Sequence, residues 1–359
     1  MRAGRGAGTA RVGRRRACAA ARFSAAALAR VSLAAVSVTL CAPLAGLLAP
    51  AVSGGSPVAA AACAPGACAW RGAVRAAAPQ RDADSAVVVL LGTGMPRPDP
   101  DASGPATAVV LGRRVFLFDA GPGVMRRMAA AGLPITGPTA LFVTHLHSDH
   151  TLGLPDLIFT TWVMGRRAPL QAYGPRGLRR MTDRIAAAWQ EDIGLRTDGL
   201  EHGVRGGWRV AVHEIGPGLV YDSGGARVTA IPVLHGNWPV AFAYRVDTPD
   251  RSVVISGDTR PAEALAAAAR GVDVLVHEAY PEARVAPEAR PGGGDWPRYL
   301  RDYHTSDVEL GRLAAGAQPR LLVLTHLVRM GGTNEELLAG VQAGGFTGRA
   351  VIGRDLGRY

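Results

Sequence analysis

The chain of 359 residues contains no lysine, no cysteine after Cys68, and no aspartate or glutamate in its first 80 residues. The missing lysine, beside abundant alanine and glycine, reflects compositional bias of the genome rather than a functional demand. The missing cysteine excludes thiolate chemistry from any site built beyond residue 68, and Cys18, Cys41, Cys63 and Cys68 read as unpaired or removed with the leader. The missing acids carry the most information. Residues 1–80 hold 10 arginines, whereas residues 81–359 hold 30 arginines against 29 acids, so +10 of the net charge of +11 lies in the leader. What remains is near neutral, which removes the electrostatic argument for a nucleic-acid partner, since such binding needs a clustered basic face.

The leader begins with Arg2, Arg5, Arg11, Arg14, Arg15, Arg16, Arg22 and Arg30 and then runs uncharged over residues 31–70, most apolar over 31–52. A basic start followed by an apolar run is the layout of an export signal. Pro43 and Pro50 interrupt the apolar part, and both a cleaved signal and an uncleaved anchor fit its length. The expected organisation is therefore a leader over 1–80, in contact with the membrane during export, and a hydrolase domain over 81–359. The expected location is extracytoplasmic, secreted or membrane-anchored.

From residue 85 onward strand signals alternate with helix signals. Apolar, β-branched runs predict strands at 86–91, 106–111, 115–118, 140–144, 209–214, 226–232, 241–246, 252–255, 272–276, 321–324 and 350–352. Proline, serine or asparagine at the first turn predicts helices at 123–131, 155–164, 175–190, 261–269, 306–315 and 334–343. Residues 194–207 and 286–297 read as surface loops bordering a cleft. Strands dominate the start of each half and helices follow, which suits an α/β fold of two packed sheets with helices outside.

The richest segment is His145-Leu146-His147-Ser148-Asp149-His150, directly after an apolar run. Three imidazoles and a carboxylate in one turn form a donor set for borderline cations such as zinc, and the set is large enough for two ions. Later apolar runs end in His235, Asp258 and His326. The expected ligands are His145, His147 and His235 for one metal, Asp149, His150 and His326 for a second, and Asp258 on both. A carboxylate shared between two cations offsets their repulsion, and a water activated between them is the expected nucleophile. Asp119 and Glu278 are candidates to accept the outer N–H of ligand imidazoles. His304, ahead of a helix signalled by Ser306, is a candidate general acid beside the catalytic Asp149 and Asp258.

These residues resemble the metallo-β-lactamase superfamily, and within it the ribonuclease Z-like group, over roughly residues 87–352. The matches are Leu91-Gly92-Thr93-Gly94, Phe118-Asp119-Ala120-Gly121, Thr144 to His150 with Gly153-Leu154-Pro155, Tyr173-Gly174-Pro175, His235, Ser256-Gly257-Asp258-Thr259, His277-Glu278-Ala279, His304-Thr305-Ser306 and Leu324-Thr325-His326. The resemblance implies an αββα sandwich of two mixed sheets flanked by helices, two Zn²⁺ per chain, and the ligands named above.

Three departures bear on the substrate. The span between Gly174 and His235 shows no separate basic arm of the kind that grips tRNA. Ala120-Gly121-Pro122-Gly123-Val124 replaces the acidic turn of the tRNA-processing enzymes, and Leu327-Val328-Arg329-Met330 replaces their Arg-Tyr pair. Together with export and the segment from Val212 to Gly218, they make the chain look like the arylsulfatase-like branch. The expected function is an exported binuclear zinc hydrolase of aryl sulfate esters. Its expected partners are a small anionic ester substrate, no nucleic acid, and further copies of itself in a homo-oligomer. The alternatives are a phosphodiesterase or ribonuclease Z-type tRNA 3′ endonuclease, and a non-catalytic metal-binding protein.

Overall fold

The computed structural model describes residues 85–287 and 294–359. The leader, its four cysteines and part of the predicted 286–297 loop lie outside the described residues.

The first half forms β1 (Val87–Gly92), β2 (Ala106–Leu111), β3 (Arg114–Phe118), α1 (Val124–Ala130), β4 (Ala140–Phe142), α2 (Ser148–Thr151), α3 (Leu154–Val163), β5 (Leu170–Gly174), α4 (Leu178–Ala188), α5 (Gln190–Asp198) and β6 (Val210–Glu214). Its six strands lie in sequence order, antiparallel from β1 to β3 and parallel from β3 to β6. Only two residues join β2 to β3, and Gly112 at φ 56° supplies the positive dihedral such a turn requires.

The second half forms β7 (Gly218–Ser223), β8 (Ala226–Val233), β9 (Ala241–Asp247), β10 (Ser252–Ile255), α6 (Glu263–Ala268), β11 (Val274–Ala279), α7 (Trp296–Tyr303), α8 (Asp307–Ala317), β12 (Leu322–Leu327), α9 (Asn334–Ala343) and β13 (Ala350–Ile352). Here β7 to β10 pair antiparallel and β10 to β13 pair parallel.

The two sheets face each other. Val88 and Leu90 of β1 share a buried cluster with Phe116, Phe142, Phe242 and Tyr244, drawn from both sheets. Val89 and Leu91, pointing the other way, pack with Met128, Leu157 and Trp162 of the helices outside the first sheet. Leu265, Leu310 and Leu337 cover the second sheet in the same way. Each central strand is thus apolar on both faces, which is why these runs read as continuously hydrophobic rather than alternating. The scarce aromatics concentrate between the sheets, where Phe118 stacks on Phe142 at 5.1 Å.

The αββα architecture matches the expectation. Four elements depart from the reading of the sequence. β5 and β7 were read as non-strand because their polar residues dilute the apolar pattern. The residues taken as a loop from 194 continue α5 to Asp198, and α7 begins at Trp296, inside the second predicted loop, with the Asp295 side chain capping the Arg298 N–H at 3.0 Å.

Candidate metal centre

The polar residues collect at one edge of the sandwich because each follows the C-terminal end of a strand. β3 ends before Asp119, β4 before His145, β8 before His235 and β10 before Asp258, while Glu278 and His326 lie in the last residues of β11 and β12. The structure brings all seven expected ligands to this edge. One group joins His145, His147, His235 and Asp258, and another joins Asp149, His150 and His326, with ligand atoms within 4.8 Å of one another in each group. Asp258 reaches both, with Oδ1 3.3 Å from His150 Nε2, and Oδ2 3.4 Å from His326 Nε2 and 3.9 Å from His235 Nε2.

Hydrogen bonds on the far side of each ring decide which nitrogen is left for an ion. Thr144 Oγ1 donates to Asp119 and so accepts from His145 Nδ1 at 3.0 Å, leaving His145 Nε2 bare. His235 Nδ1 donates to the Tyr303 carbonyl at 2.7 Å, and His150 Nδ1 donates to Asp119 at 2.8 Å. The bare Nε2 atoms of His145 and His235 lie 2.9 and 3.0 Å from His147 Nδ1. His150 Nε2 and Asp258 Oδ1 are buried without a hydrogen-bond partner among the described residues. Convergent lone pairs and orphaned buried donor atoms of this kind fit zinc, which takes imidazole nitrogen and carboxylate oxygen. Ligation by His147 through Nδ1 leaves the proton on Nε2, which now accepts from Trp238 Nε1 at 2.7 Å, so the indole must leave this contact when an ion is held.

Burial divides the imidazoles electrostatically. It lowers His147 and His235 to about 4 and His145 well below its ordinary value. Burial also works to lower His326, but the Asp258 charge and the bond to Asp149 prevail and raise it to about 9. His150 rises likewise, against burial, because Asp258 and Asp119 both face it.

Asp119 stands where the sequence predicts, accepting from the Thr144 N–H at 2.8 Å and from His150. Glu278 does not face a ligand of either three-imidazole or His-Asp group. Its carboxyl oxygens lie 2.9 and 3.0 Å from His304 Nδ1, and it accepts from the Thr259 N–H at 2.8 Å. His304 itself is placed between the end of α7 and the capping box of Ser306 and Glu309 that starts α8, and also falls within ligand distance of Asp258 and His326. Sequence reasoning missed Trp238, the Tyr303 carbonyl and Thr144. Trp238 and the Tyr303 carbonyl act on rings brought from elsewhere in the chain, whereas Thr144 directly precedes the His145 it bonds, a local signal to which the sequence reading gave no role.

A β-lactamase superfamily domain profile matches residues 114–327. A Ribonuclease Z of Mycobacterium sp. (strain KMS) is 40% identical over 245 residues, 67% of this chain and 83% of that protein. A Ribonuclease Z of Mycobacterium marinum is 36% identical over 285 residues, 76% of this chain and 97% of that protein. In fold, the chain is similar to the metallo-β-lactamase fold protein YhfI of Bacillus subtilis (TM-score 0.60, 19% identity, 77% of this chain and 99% of that one). It is similar also to the short form of human tRNase Z (TM-score 0.57, 22% identity, 76% of this chain and 98% of that one).

These relatives overturn the expectation of an exported aryl sulfatase. Proteins sharing 36 to 40% of their residues with this chain are named Ribonuclease Z, which places it with the alternative reading instead. The arylsulfatase-like branch and the extracytoplasmic, secreted or membrane-anchored location fall with it, and no helix among the described residues is long and apolar enough to cross a membrane. Two of the departures, at residues 120–124 and 327–330, directly follow Asp119 and His326 at the site itself, and they do not carry the substrate assignment that the sequence reading placed on them. The chain belongs to the metallo-β-lactamase superfamily of metal-dependent hydrolases, in its ribonuclease Z-like group.

Proposed function

We propose that the protein is a binuclear zinc phosphodiesterase of the ribonuclease Z type, acting on the 3′ ends of tRNA precursors. The observation that carries this reading is the 36% identity to a Ribonuclease Z over 97% of that relative's length. In this reading His145, His147 and His235 would hold one Zn²⁺ and Asp149, His150 and His326 the other, with Asp258 within reach of both groups. Two zinc ions would supply Lewis acidity toward a phosphodiester and a water acidic enough to attack at neutral pH. The protein's part is to hold the ligands rigid and keep the site dry. Asp119 fixes the His150 ring, and the Tyr303 carbonyl fixes His235.

Glu278 orients His304 to protonate the departing oxygen. Burial lowers His304 to about 4 and, with the Asp258 charge, raises Glu278 well above the usual carboxylate range. A protonated Glu278 facing Nδ1 lets the imidazole give up its Nε2 proton and regain one at Nδ1 without becoming charged.

The near-neutral charge of residues 81–359 does not preclude RNA. Arg176, Arg179, Arg180 and Arg184 are exposed at the start of α4, and the Leu146 side chain of the histidine-rich turn reaches Gly177 there. A local basic face of this kind suits phosphate contacts.

The test compares a tRNA precursor with a 3′ trailer, an aryl phosphodiester, an aryl sulfate and a β-lactam on the native protein and on Asp258→Ala. We expect turnover of the two phosphodiesters, falling by about three orders of magnitude or more in the variant, whose zinc content also drops. Turnover confined to the sulfate or the lactam would overturn the reading.

A further inference from the structure

The ligands and carboxylates leave one wall of the site without a role. Along α7, Trp296, Tyr299 and Tyr303 recur at intervals of three and four and so share one helix face. Their rings form a ladder. Trp296 stacks on Tyr299 at 5.1 Å and 8°, and Tyr299 stacks on Tyr303 at 4.4 Å and 21°.

The inner end of the ladder is tied to the metal centre. The Tyr303 ring meets His235 edge-on at 5.0 Å and lies over Gly236, where any β-carbon would fall 1.9 Å from it. Tyr299 packs 5.6 Å from His304. The outer end, Trp296, lines both the cavity of about 880 Å³ that contains His147, Asp149, Asp258 and His304 and an adjoining one of about 710 Å³. Met95, Arg97 and Val328 are common to both walls. The ring therefore stands, with its plane set by two further rings, where a group attached to the reacting phosphate would leave the site.

We propose that Trp296, held by the Tyr299–Tyr303 ladder, is a stacking platform for the nucleobase next to the scissile phosphate. The inference rests on the phosphodiesterase reading above and adds to it a specificity-determining residue. Every base presents a π-face, so such a platform selects nucleotides over alkyl phosphodiesters while tolerating any base. A ring whose orientation is already fixed loses little freedom when the base arrives. The competing reading is that Trp296 only closes the small apolar cluster it shares with Leu300 and Val328.

The test is a cycle of protein and substrate changes in the zinc-loaded full chain. Short RNAs are prepared with an abasic ribose on one or the other side of the cleaved bond, and each is compared with its parent on the native protein, Trp296→Leu and Trp296→Phe. Leucine preserves much of the apolar volume and removes the planar face; phenylalanine preserves both. For native protein we expect the abasic substitution on one side to lower kcat/KM by about 5- to 100-fold, chiefly through KM. Trp296→Leu should show the same loss with the intact RNA and no further loss with the abasic one, whereas Trp296→Phe should recover most of the native value. Zinc per chain should be unchanged throughout. Independent, multiplying losses, or an abasic penalty equal in all three proteins, would overturn the proposal. Failure of the native protein to cleave any RNA would instead overturn the phosphodiesterase reading.

Discussion

Asp119 and His326 are held at φ 60° and 44°, a region that side-chain-bearing residues rarely adopt. Both lie at the metal centre, where surrounding structure sustains such conformations and function commonly uses them. Asp119→Asn keeps the size and the bond from the Thr144 N–H but removes the charge facing His150. The ion assigned to Asp149, His150 and His326 should lose about 10- to 100-fold in affinity, and the other ion less, since Asp119 reaches His145 only through the Thr144 hydroxyl, as read by titration against a chromogenic chelator. Equal weakening of both ions would contradict this division of the ligands.

The opposed imidazole shifts give a second residue-scale prediction. His326, raised to about 9, is protonated at pH 7 in the metal-free protein and must lose a proton to bind an ion, and Asp258 and Asp119 shift His150 in the same direction; His147 and His235, lowered to about 4, are already neutral. Calorimetry in buffers of different ionisation enthalpy should therefore show proton release for one ion only. Affinity at that site should climb as pH rises toward 9, whereas the other should stay flat until pH falls toward 4.

At the scale of elements, His145, His235, Asp258 and His326 stand at or just beyond the ends of strands, Asp149 and His150 lie in α2, and α7 braces the loop after β8. Gly236 has φ 52°, and its missing side chain is what admits the Tyr303 ring. Gly236→Ala should cost about 1–2 kcal/mol from the backbone alone, and more as Tyr303 is displaced. The displaced carbonyl frees His235, so zinc at the site of His145, His147 and His235 should weaken too. Urea unfolding and zinc content measure the two effects. The histidine-rich turn was legible in the sequence because its donors are neighbours in the chain. The strand β5 was not, since it is held by β4 and β6, distant in sequence; β7 pairs with its chain neighbour β8 but is largely exposed, and α7 buries only Leu300, so neither shows an apolar run.

For the whole molecule, two half-sandwiches each contribute one side of the centre, the first through Asp119 and the turn after β4, the second through His235, Asp258 and His326. If the chain is organised as the sequence reading expects, into a leader over 1–80 and a hydrolase domain over 81–359, deleting residues 1–80 should leave zinc content, thermal unfolding and phosphodiester turnover unchanged. Loss of any of these would assign the leader a part in the folded enzyme. The amino-acid sequence by itself determined the α/β class, the apolar runs buried on both faces, and which histidines and aspartates are candidates to gather at one site, because composition and local order specify these. Only the tertiary structure decided that Glu278 serves His304 rather than a ligand, that a backbone carbonyl of Tyr303 orients His235, and that Trp296 and Tyr299 of α7 line the mouth of the site. Those pairings join residues separated by 26, 68 and up to some 150 positions along the chain, and only packing of one sheet edge against its neighbours brings them together.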